Sequence, residues 1–158
     1  MHPRTEEFQS RAADRHGFAV EPHEFPEGTK TAEDAAEAVG CPVAAIASAI
    51  AVDADGELVV CVTSGANRVS MDAVAQLRGV DADTVGMADP DRVAEVLGWS
   101  IGGVPPFCHD NEVPVYVDET LTDHEEVWAA GGTPQAVFPI APDRLVALSG
   151  GTVAAFAE

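Results

Sequence analysis

The residues best suited to chemistry lie in one irregular segment, which we call the glycine/proline loop (residues 98–110). It reads GWSIGGVPPFCHD, so three glycines and two prolines fall within thirteen residues. Such a loop is rigid, and its glycines let the backbone come close to a ligand. Because Gly102 and Gly103 have no side chains to cover their N–H groups, these groups are candidate donors to a carbonyl oxygen or a phosphate. A tight structural crossover is the alternative interpretation.

His109 is the histidine with the most chemical potential, because it ends this loop between Cys108 and Asp110. A thiol nucleophile with an adjacent base is one interpretation, but residues adjacent in sequence rarely face each other. A metal site would require ligands beyond Cys108, His109 and Asp118, and none lies at a suitable spacing. We therefore expect no metal and no cofactor. His109 is either a hydrogen-bonding residue of the loop or a polar group of a pocket.

Other polar and aromatic residues are open to two interpretations each. The loop matches neither phosphate-binding glycine motif, G-x-x-x-x-G-K-[ST] or G-x-G-x-x-G, and a G-x-S-x-G elbow is absent. Asn67 and Arg68 follow a predicted strand and either bind a phosphate or form a solvated turn. Trp99 and Phe107 flank the loop and either stack on a base or ribose or fill the core.

The charge of the chain is strongly acidic and evenly spread. Acidic residues outnumber basic ones by 27 to 8, for a formal net charge of −19, with 13 acids in residues 1–79 and 14 in residues 80–158. Lys30 is the single lysine. This composition predicts a cytoplasm kept at molar salt, because at ~1 M the Debye length of ~3 Å screens self-repulsion. The alternative is a nucleic-acid mimic or a binder of a basic partner, which usually concentrates its acids on one face.

The remaining composition excludes several classes of protein. Hydrophobic residues make up 46% of the chain, which is typical of a folded protein. No apolar run approaches the ~20 residues that span a bilayer, and the N-terminus lacks the apolar core of a signal peptide. Cys41, Cys61 and Cys108 are widely spaced, as expected for reduced thiols. We expect a cytoplasmic protein with no membrane partner, and we leave its oligomeric state open.

Cap residues and apolar runs predict one domain over residues 1–158, of the α/β (α+β) class, with a mixed, largely antiparallel central sheet flanked by short helices. The best signal is a hairpin of two β-branched runs, 48–53 and 57–63, joined by Ala54-Asp55-Gly56. Predicted helices run from Thr5 to Gly17, from Thr31 to Gly40, from Ser70 to Gly79, from Asp89 to Gly98 and from Pro142 to Leu148. Further strands are predicted within 18–25 (an edge strand) and at 113–118, 126–130, 135–140 and 152–156.

Taken together, these segments resemble, over nearly the full length of the chain, the YbaK-like aminoacyl-tRNA deacylases, which are related to the editing domain of bacterial prolyl-tRNA synthetase. The order and spacing of the segments carry the resemblance, rather than any one of them. They are EGTKTAEDAA at 27–36, the hairpin from Ile46 to Thr63, SGANRV at 64–69, GGVPPF at 102–107, VYVD at 115–118, GGTP at 131–134 and VFP at 137–139.

The resemblance implies hydrolysis, in trans, of the ester of mischarged tRNA (Cys/Pro/Ala-type editing). The ligand would be the aminoacylated 3′ CCA end, with an aminoacyl-tRNA synthetase as a further partner and no cofactor. In such enzymes backbone N–H groups of the loop bind the aminoacyl carbonyl, and hydroxyls of the terminal adenosine assist. Gly102, Gly103, Ser48 and His109 would then be the catalytic residues, the two glycines as carbonyl binders and Ser48 and His109 as polar groups that line the pocket. The substrate-binding residues would be Thr31, Ser64, Gly65, Arg68, Pro105, Pro106, Phe107, Gly131 and Thr133, together with Asp118 as supporting scaffold.

Two positions depart from the pattern of the resembled family. Its members usually carry a functional lysine early in the first hairpin strand, and here Ser48 stands at that position. Relatives commonly have Phe-Gly-His where this chain has Phe107-Cys108-His109. The missing lysine favours an alternative function, a catalytically weakened module that binds tRNA or aminoacyl-adenosine without turnover. An acidic protein-interaction domain with no RNA role is a further alternative.

Overall fold

The computed structural model describes residues 1–25 and 31–158, and within these ranges the chain forms one eight-stranded sheet and five α-helices. No helix in the described part of the chain has the length and apolarity that a membrane span requires. The elements are α1 (Pro3–His16), β1 (His23–Glu24), α2 (Ala32–Val39), β2 (Ile46–Ala54), β3 (Glu57–Ser64), α3 (Met71–Arg78), β4 (Val85–Met87), α4 (Pro90–Leu97), β5 (Val115–Asp118), β6 (Val127–Ala130), β7 (Ala136–Ile140), α5 (Pro142–Ser149) and β8 (Thr152–Ala154).

The sheet is mixed, as the sequence predicts. Its strands follow the order β1-β7-β6-β2-β3-β5-β8, and β4 pairs separately with β2. The pairs β2–β6, β3–β5 and β5–β8 are parallel, while the other four pairings are antiparallel. Parallel neighbours require long connections, and the glycine/proline loop lies in one of them, between α4 and β5.

The central hairpin forms where its turn residues predict it. Asp55 and Gly56 both have positive φ, +52° and +88°, as a two-residue type I′ turn requires. The Asp53 carboxylate accepts a hydrogen bond from the Gly56 N–H at 2.9 Å. This turn sets the register that places Ser48 opposite Thr63. Because neighbouring residues of a strand face opposite sides of the sheet, the register also decides which side Ser48 faces.

Most helix ends also agree with prediction. Thr31, Ser70 and Asp89 each accept a hydrogen bond from a backbone N–H in the first turn of the helix that follows. The first helix is the exception, because it begins at Pro3 with His2 as its N-cap, and Thr5 is buried inside it. Three strand predictions were too long, since the edge strand spans only β1, the strand predicted at 113–118 begins at Val115, and the last strand ends at Ala154. Strand β4 was not predicted.

Four aromatic rings join α1, the loop and β7 in the largest core cluster. The ring of Phe8 lies 5.1 Å from that of Phe138, 5.4 Å from that of Phe107 and 6.1 Å from that of Trp99, between centroids. Trp99 is 1% exposed and Phe107 is 2% exposed. The burial of these two rings favours the interpretation that they fill the core over the interpretation that they stack on a base, and it argues against direct substrate contact by Phe107. Both rings anchor the loop to the core.

Cys108 has a backbone conformation that L-residues rarely adopt. Its φ is +64°, in the left-handed region, where a side chain costs roughly 1–2 kcal/mol. The Trp99 indole N–H donates to the Cys108 carbonyl at 2.9 Å. Glycine adopts this φ without strain, which gives a physical reason for the glycine that the resemblance implies at this position.

Replacing Cys108 by glycine is expected to give a more stable protein than replacing it by alanine. Both variants lose the buried thiol, but only glycine adopts the positive φ without strain, so the difference in unfolding free energy is about 1 kcal/mol. Thermal melts of the two variants should differ by roughly 2–4 °C. An alanine variant as stable as the glycine variant would show that the backbone here is unstrained.

Candidate functional site

A cavity of about 220 Å³ lies between β2, the start of α2 and the glycine/proline loop. Thr31 and Ser48 supply the polar side chains among its described lining residues, and none of those residues is charged. The remainder of the described wall is glycine, alanine or larger apolar residues. These are Ala32, Ala35, residues 46, 47 and 49–51 of β2, Met87, Ile101, Gly102, Val104, Trp128, Ala130 and Val137.

Ser48 lies on the floor of this cavity. It is half-buried in β2, and its hydroxyl has no hydrogen-bond partner among residues 1–25 and 31–158. The hydroxyl is thus available to a ligand as donor or acceptor. Lys30, the only lysine of the chain, lies outside the described residues.

The two glycines predicted as carbonyl binders have different roles. The Gly103 N–H donates to the Ser100 carbonyl at 3.0 Å and closes a four-residue turn. Gly102 takes the third place of that turn at φ +88°, the conformation that a type II turn reserves for glycine. Gly102 lines the cavity and is exposed, and its N–H has no partner in the described part of the chain. Of the predicted pair, Gly102 is the available donor, while Gly103 is committed to the turn.

Gly103 instead brings two backbone segments together. A Cβ atom at this position would stand 2.6 Å from Cα and 2.8 Å from N of Thr133. The turn 131–134 is itself closed by hydrogen bonds from Gly131 N–H to the Ala136 carbonyl and from Ala136 N–H to the Thr133 carbonyl. Gly131 and Thr133, predicted to bind substrate, are buried and are not among the described residues that line the cavity. Thr133 supports the loop through its contact with Gly103, and Gly131 helps to close the turn that carries Thr133.

Asp118, predicted as a substrate-binding residue and as supporting scaffold, lies in a buried hydrogen-bond network. Its carboxylate is 1% exposed and accepts hydrogen bonds from Ser64 N–H, Asn67 Nδ2 and Thr120 N–H at 2.9–3.0 Å. The Ser64 hydroxyl donates to the Ala44 carbonyl at 2.8 Å, two residues before β2 begins. This network ties the ends of β3 and β5 to the start of the strand that carries Ser48.

Gly65 and Arg68 follow the same network. A Cβ atom on Gly65 would meet the Val43 carbonyl at 2.6 Å and Ala32 Cβ at 2.8 Å, so this residue packs against the start of α2. Gly65 therefore helps to hold Ala32, a lining residue, in place. Arg68 is exposed, and its guanidinium has no partner within the described ranges.

His109 lies elsewhere, at a second cavity of about 420 Å³ that is also lined by Arg15, His16 and Cys108. Burial lowers the pKa of His109, so the ring is neutral at pH 7. Its Nε2 lies 2.8 Å from the Pro105 carbonyl, to which a neutral ring donates. The structure thus separates His109 from Ser48 and Gly102, contrary to expectation, and gives it the alternative role of a loop hydrogen-bonding residue.

The thiol mechanism finds no support in the geometry. Burial raises the pKa of Cys108 to about 11, so the thiol stays protonated at neutral pH. Pro105 and Pro106, predicted to bind substrate, are buried with it in the second half of the loop. No group of three or more metal-ligating side chains occurs in the described residues.

Thirteen of the sixteen described lining residues were not predicted as site residues, and Met87, Ile101 and Trp128 are among the largest side chains of that group. Met87 belongs to β4, which carried no recognisable strand signal, and Ile101 lies in the irregular loop. Trp128 is half-buried in β6, within the strand predicted at 126–130. The alternation of side chains along that strand was the one sequence signal that could have indicated which face Trp128 occupies. Met87 and Ile101 are 61% and 47% exposed, and they form an apolar rim of the cavity.

The sequence matches a family model described as an aminoacyl-tRNA editing domain, over residues 26–148. One curated relative is the uncharacterised protein YwhH of Bacillus subtilis (strain 168), 30% identical over 77% of this chain and 76% of its own length. Another is the proline–tRNA ligase of Leuconostoc citreum (strain KM20), 32% identical over 67% of this chain. The chain corresponds to 19% of that ligase.

Solved structures give a closer match over the whole length. A crystal structure described as a candidate trans-editing enzyme for prolyl-tRNA synthetase has 36% sequence identity and a TM-score of 0.93, and covers 100% of this chain and 99% of its own. The hypothetical protein APE2540 has 26% identity and a TM-score of 0.83, over 96% of this chain and 99% of its own.

The close contact between the backbones of Gly103 and Thr133 predicts that a methyl group added at Gly103 will destabilise the protein. Gly103→Ala should lower the unfolding free energy by roughly 1–3 kcal/mol, because the new Cβ overlaps the Thr133 backbone. Gly86→Ala is the matched control, since a Cβ there meets nothing within 4 Å, and it should change stability by less than about 0.5 kcal/mol. Equal denaturation midpoints for the two variants would contradict the close approach.

Proposed function

This chain belongs to the aminoacyl-tRNA editing domain family, and from that membership we propose that it hydrolyses, in trans, the ester bond of mischarged tRNA. The observation that carries the proposal is the shared cavity of Ser48 and Gly102, which lies within the region matched by the family. The Ser48 hydroxyl and the Gly102 N–H are available there, and both are suited to an ester carbonyl. The likeness to the candidate trans-editing enzyme along the full chain supports the same reaction.

The cavity favours a small uncharged aminoacyl group. Six alanines line it, and no charged side chain does so among the described residues. A charged substrate side chain would lose its hydration there without gaining a partner. We therefore infer Cys/Pro/Ala-type editing, with the aminoacyl group inside the cavity. The terminal adenosine of the 3′ CCA end would lie on the apolar rim of Met87 and Ile101, because Trp99 and Phe107 are buried.

The reaction that we propose is ester hydrolysis without a covalent intermediate on the protein. A water molecule adds to the ester carbonyl carbon, and the bond from that carbon to the ribose oxygen breaks. The proton released by water ends on the ribose oxygen, so the products are a free amino acid and uncharged tRNA. Gly102 N–H and the Ser48 hydroxyl would donate to the oxygen that gains negative charge, and the neighbouring ribose hydroxyl would assist.

Arg68 is the arginine best placed to meet a tRNA phosphate. The other six arginines have partners within the protein, whereas the exposed Arg68 has none in the described ranges. A single such contact contributes little affinity in molar salt, where the gain from counterion release is small. Recognition would then depend on the aminoacyl group and adenosine. A prolyl-tRNA synthetase is the further partner that the relatives favour.

A second candidate function is a binding module without turnover. The observation that favours it is Ser48, which stands where the family usually has a lysine. A hydroxyl stabilises a developing oxyanion less than a cation does. The two functions differ in one measurable quantity, the rate at which the native protein releases amino acid from tRNA.

Deacylation assays at ~2–3 M KCl, a salt level chosen to screen the −19 charge, test the proposal directly. With tRNA mischarged with alanine, cysteine or proline, the native protein should release one of these amino acids. Ser48→Ala should lower turnover by roughly two- to tenfold, because a neutral hydrogen bond contributes ~0.5–1.5 kcal/mol. Ser48→Lys should raise it, since a cation then faces the oxyanion. Ser10→Ala, at an exposed serine of α1, is the matched control.

The binding module predicts a different pattern in the same assay. The native protein would release no amino acid from any of the three substrates, while Ser48→Ala would still bind them. A gain of turnover confined to Ser48→Lys would identify the missing lysine as the cause. Either result would overturn the deacylase proposal for the native chain.

The salt-adapted setting that we propose also makes a prediction about stability. The dispersed charge of −19 repels itself in dilute buffer, and salt screens that repulsion. The melting temperature should therefore rise steeply between ~0.1 and ~3 M KCl. A melting temperature that stays constant or falls over this range would exclude adaptation to molar salt.

A further inference from the structure

Three arginines of α1 contact the glycine/proline loop in the same manner. Their spacing of seven and four residues places them on one face of the helix. The Arg4 guanidinium donates to the Gly98 carbonyl, Arg11 to the Cys108 carbonyl at 3.3 Å, and Arg15 to the His109 carbonyl at 3.0 Å. One helix face thus binds both ends of the loop.

Trp99 connects two of these arginines to the segment that carries Gly102. The guanidinium carbon of Arg4 lies 4.1 Å from the centroid of the Trp99 ring, and that of Arg11 lies 5.1 Å away. The indole N–H donates to the Cys108 carbonyl, which also accepts from Arg11. The turn of residues 100–103 begins immediately after Trp99.

It is unusual for so acidic a chain to use three of its few basic residues on one loop. Only eight residues are lysine or arginine, and three of them contact one loop. Irregular backbone leaves carbonyl groups without partners, and guanidinium groups satisfy several of them at once. Glu7 pairs with Arg4 and Arg11, but these ion pairs lie on the helix itself and bring no loop residue into place.

We propose that Arg4, Arg11 and Arg15 act as an arginine clamp that positions the loop for catalysis. This inference rests on the proposed function and goes beyond it by assigning positioning residues that touch no substrate. Arg11 is central to the clamp, because it contacts the Trp99 ring, the Cys108 carbonyl and the Asp110 carboxylate. Loss of its guanidinium frees Trp99 to shift, and with it Gly102, which lines the cavity.

Steady-state deacylation and hydrogen exchange of the Arg11 variants test the clamp together. Arg11→Met should lower kcat at least about fivefold with KM within about twofold of the native value, because small misplacements of a catalytic group cost rate. Arg11→Lys retains the positive charge but not the planar guanidinium, so its kcat should lie between those of the native protein and Arg11→Met. Amide exchange should speed up in residues 98–110 of Arg11→Met while the β2–β3 hairpin keeps its protection.

One control variant separates positioning from charge. Arg144→Met removes an equal charge from a guanidinium that contacts the Phe18 ring and donates to no loop carbonyl among the described residues. This variant should keep kcat within about twofold of the native value, because Arg144 does not touch the loop backbone.

Several outcomes would overturn the clamp. One is an Arg11→Met variant with native kcat and native exchange in residues 98–110. Another is exchange that rises equally in the hairpin, which would mean general destabilisation. A third is a fall in kcat for Arg144→Met as large as for Arg11→Met. If the native protein shows no turnover, the proposed function fails, and the exchange of residues 98–110 against the hairpin still decides whether Arg11 positions the loop.

Discussion

The contact between the backbones of Gly103 and Thr133 is the constraint on which the cavity depends. Because a Cβ atom on Gly103 would stand 2.6 Å from Thr133 Cα, the glycine/proline loop can lie directly on the turn between β6 and β7. That approach brings Gly102 to the wall opposite β2, where Ser48 lies. Trp99 and Phe107, buried on either side, fix the two halves of the loop to the core.

Electrostatics add a second constraint, because the chain has few cations with which to hold irregular backbone. Three of its arginines contact the carbonyl groups of one loop, while Arg78 and Arg92 pair with carboxylates near the central hairpin. In molar salt exposed ion pairs are largely screened. Guanidinium contacts to carbonyl groups and to the Trp99 ring lose less, since the partner carries no net charge for salt to screen. A salt-adapted protein would therefore keep its loop in place through such contacts.

The site that results is suited to a reaction that needs binding more than a strong nucleophile. The described cavity walls present an uncharged, mainly apolar surface, with the hydroxyls of Thr31 and Ser48 and the backbone N–H of Gly102 as polar groups. The thiols of Cys61 and Cys108 are held protonated by burial, which raises their pKa values to about 12 and about 11. An ester whose own ribose hydroxyls assist its hydrolysis is the substrate for which such a site suffices. This is the chemistry that we propose for this member of the editing family.

The sequence alone determined the features that depend on local rules. Cap residues, the Asp55-Gly56 turn and β-branched runs predict four of the five helices and the central hairpin almost residue by residue, because each signal acts within a few residues. Tertiary structure alone decided the parallel pairings, the burial of Trp99 and Phe107, and the separation of His109 from Ser48. It also committed Gly103 N–H to a turn and placed Met87 at the rim. These features depend on which distant segments pack together, and such contacts produce no local pattern in the sequence from which they could be predicted.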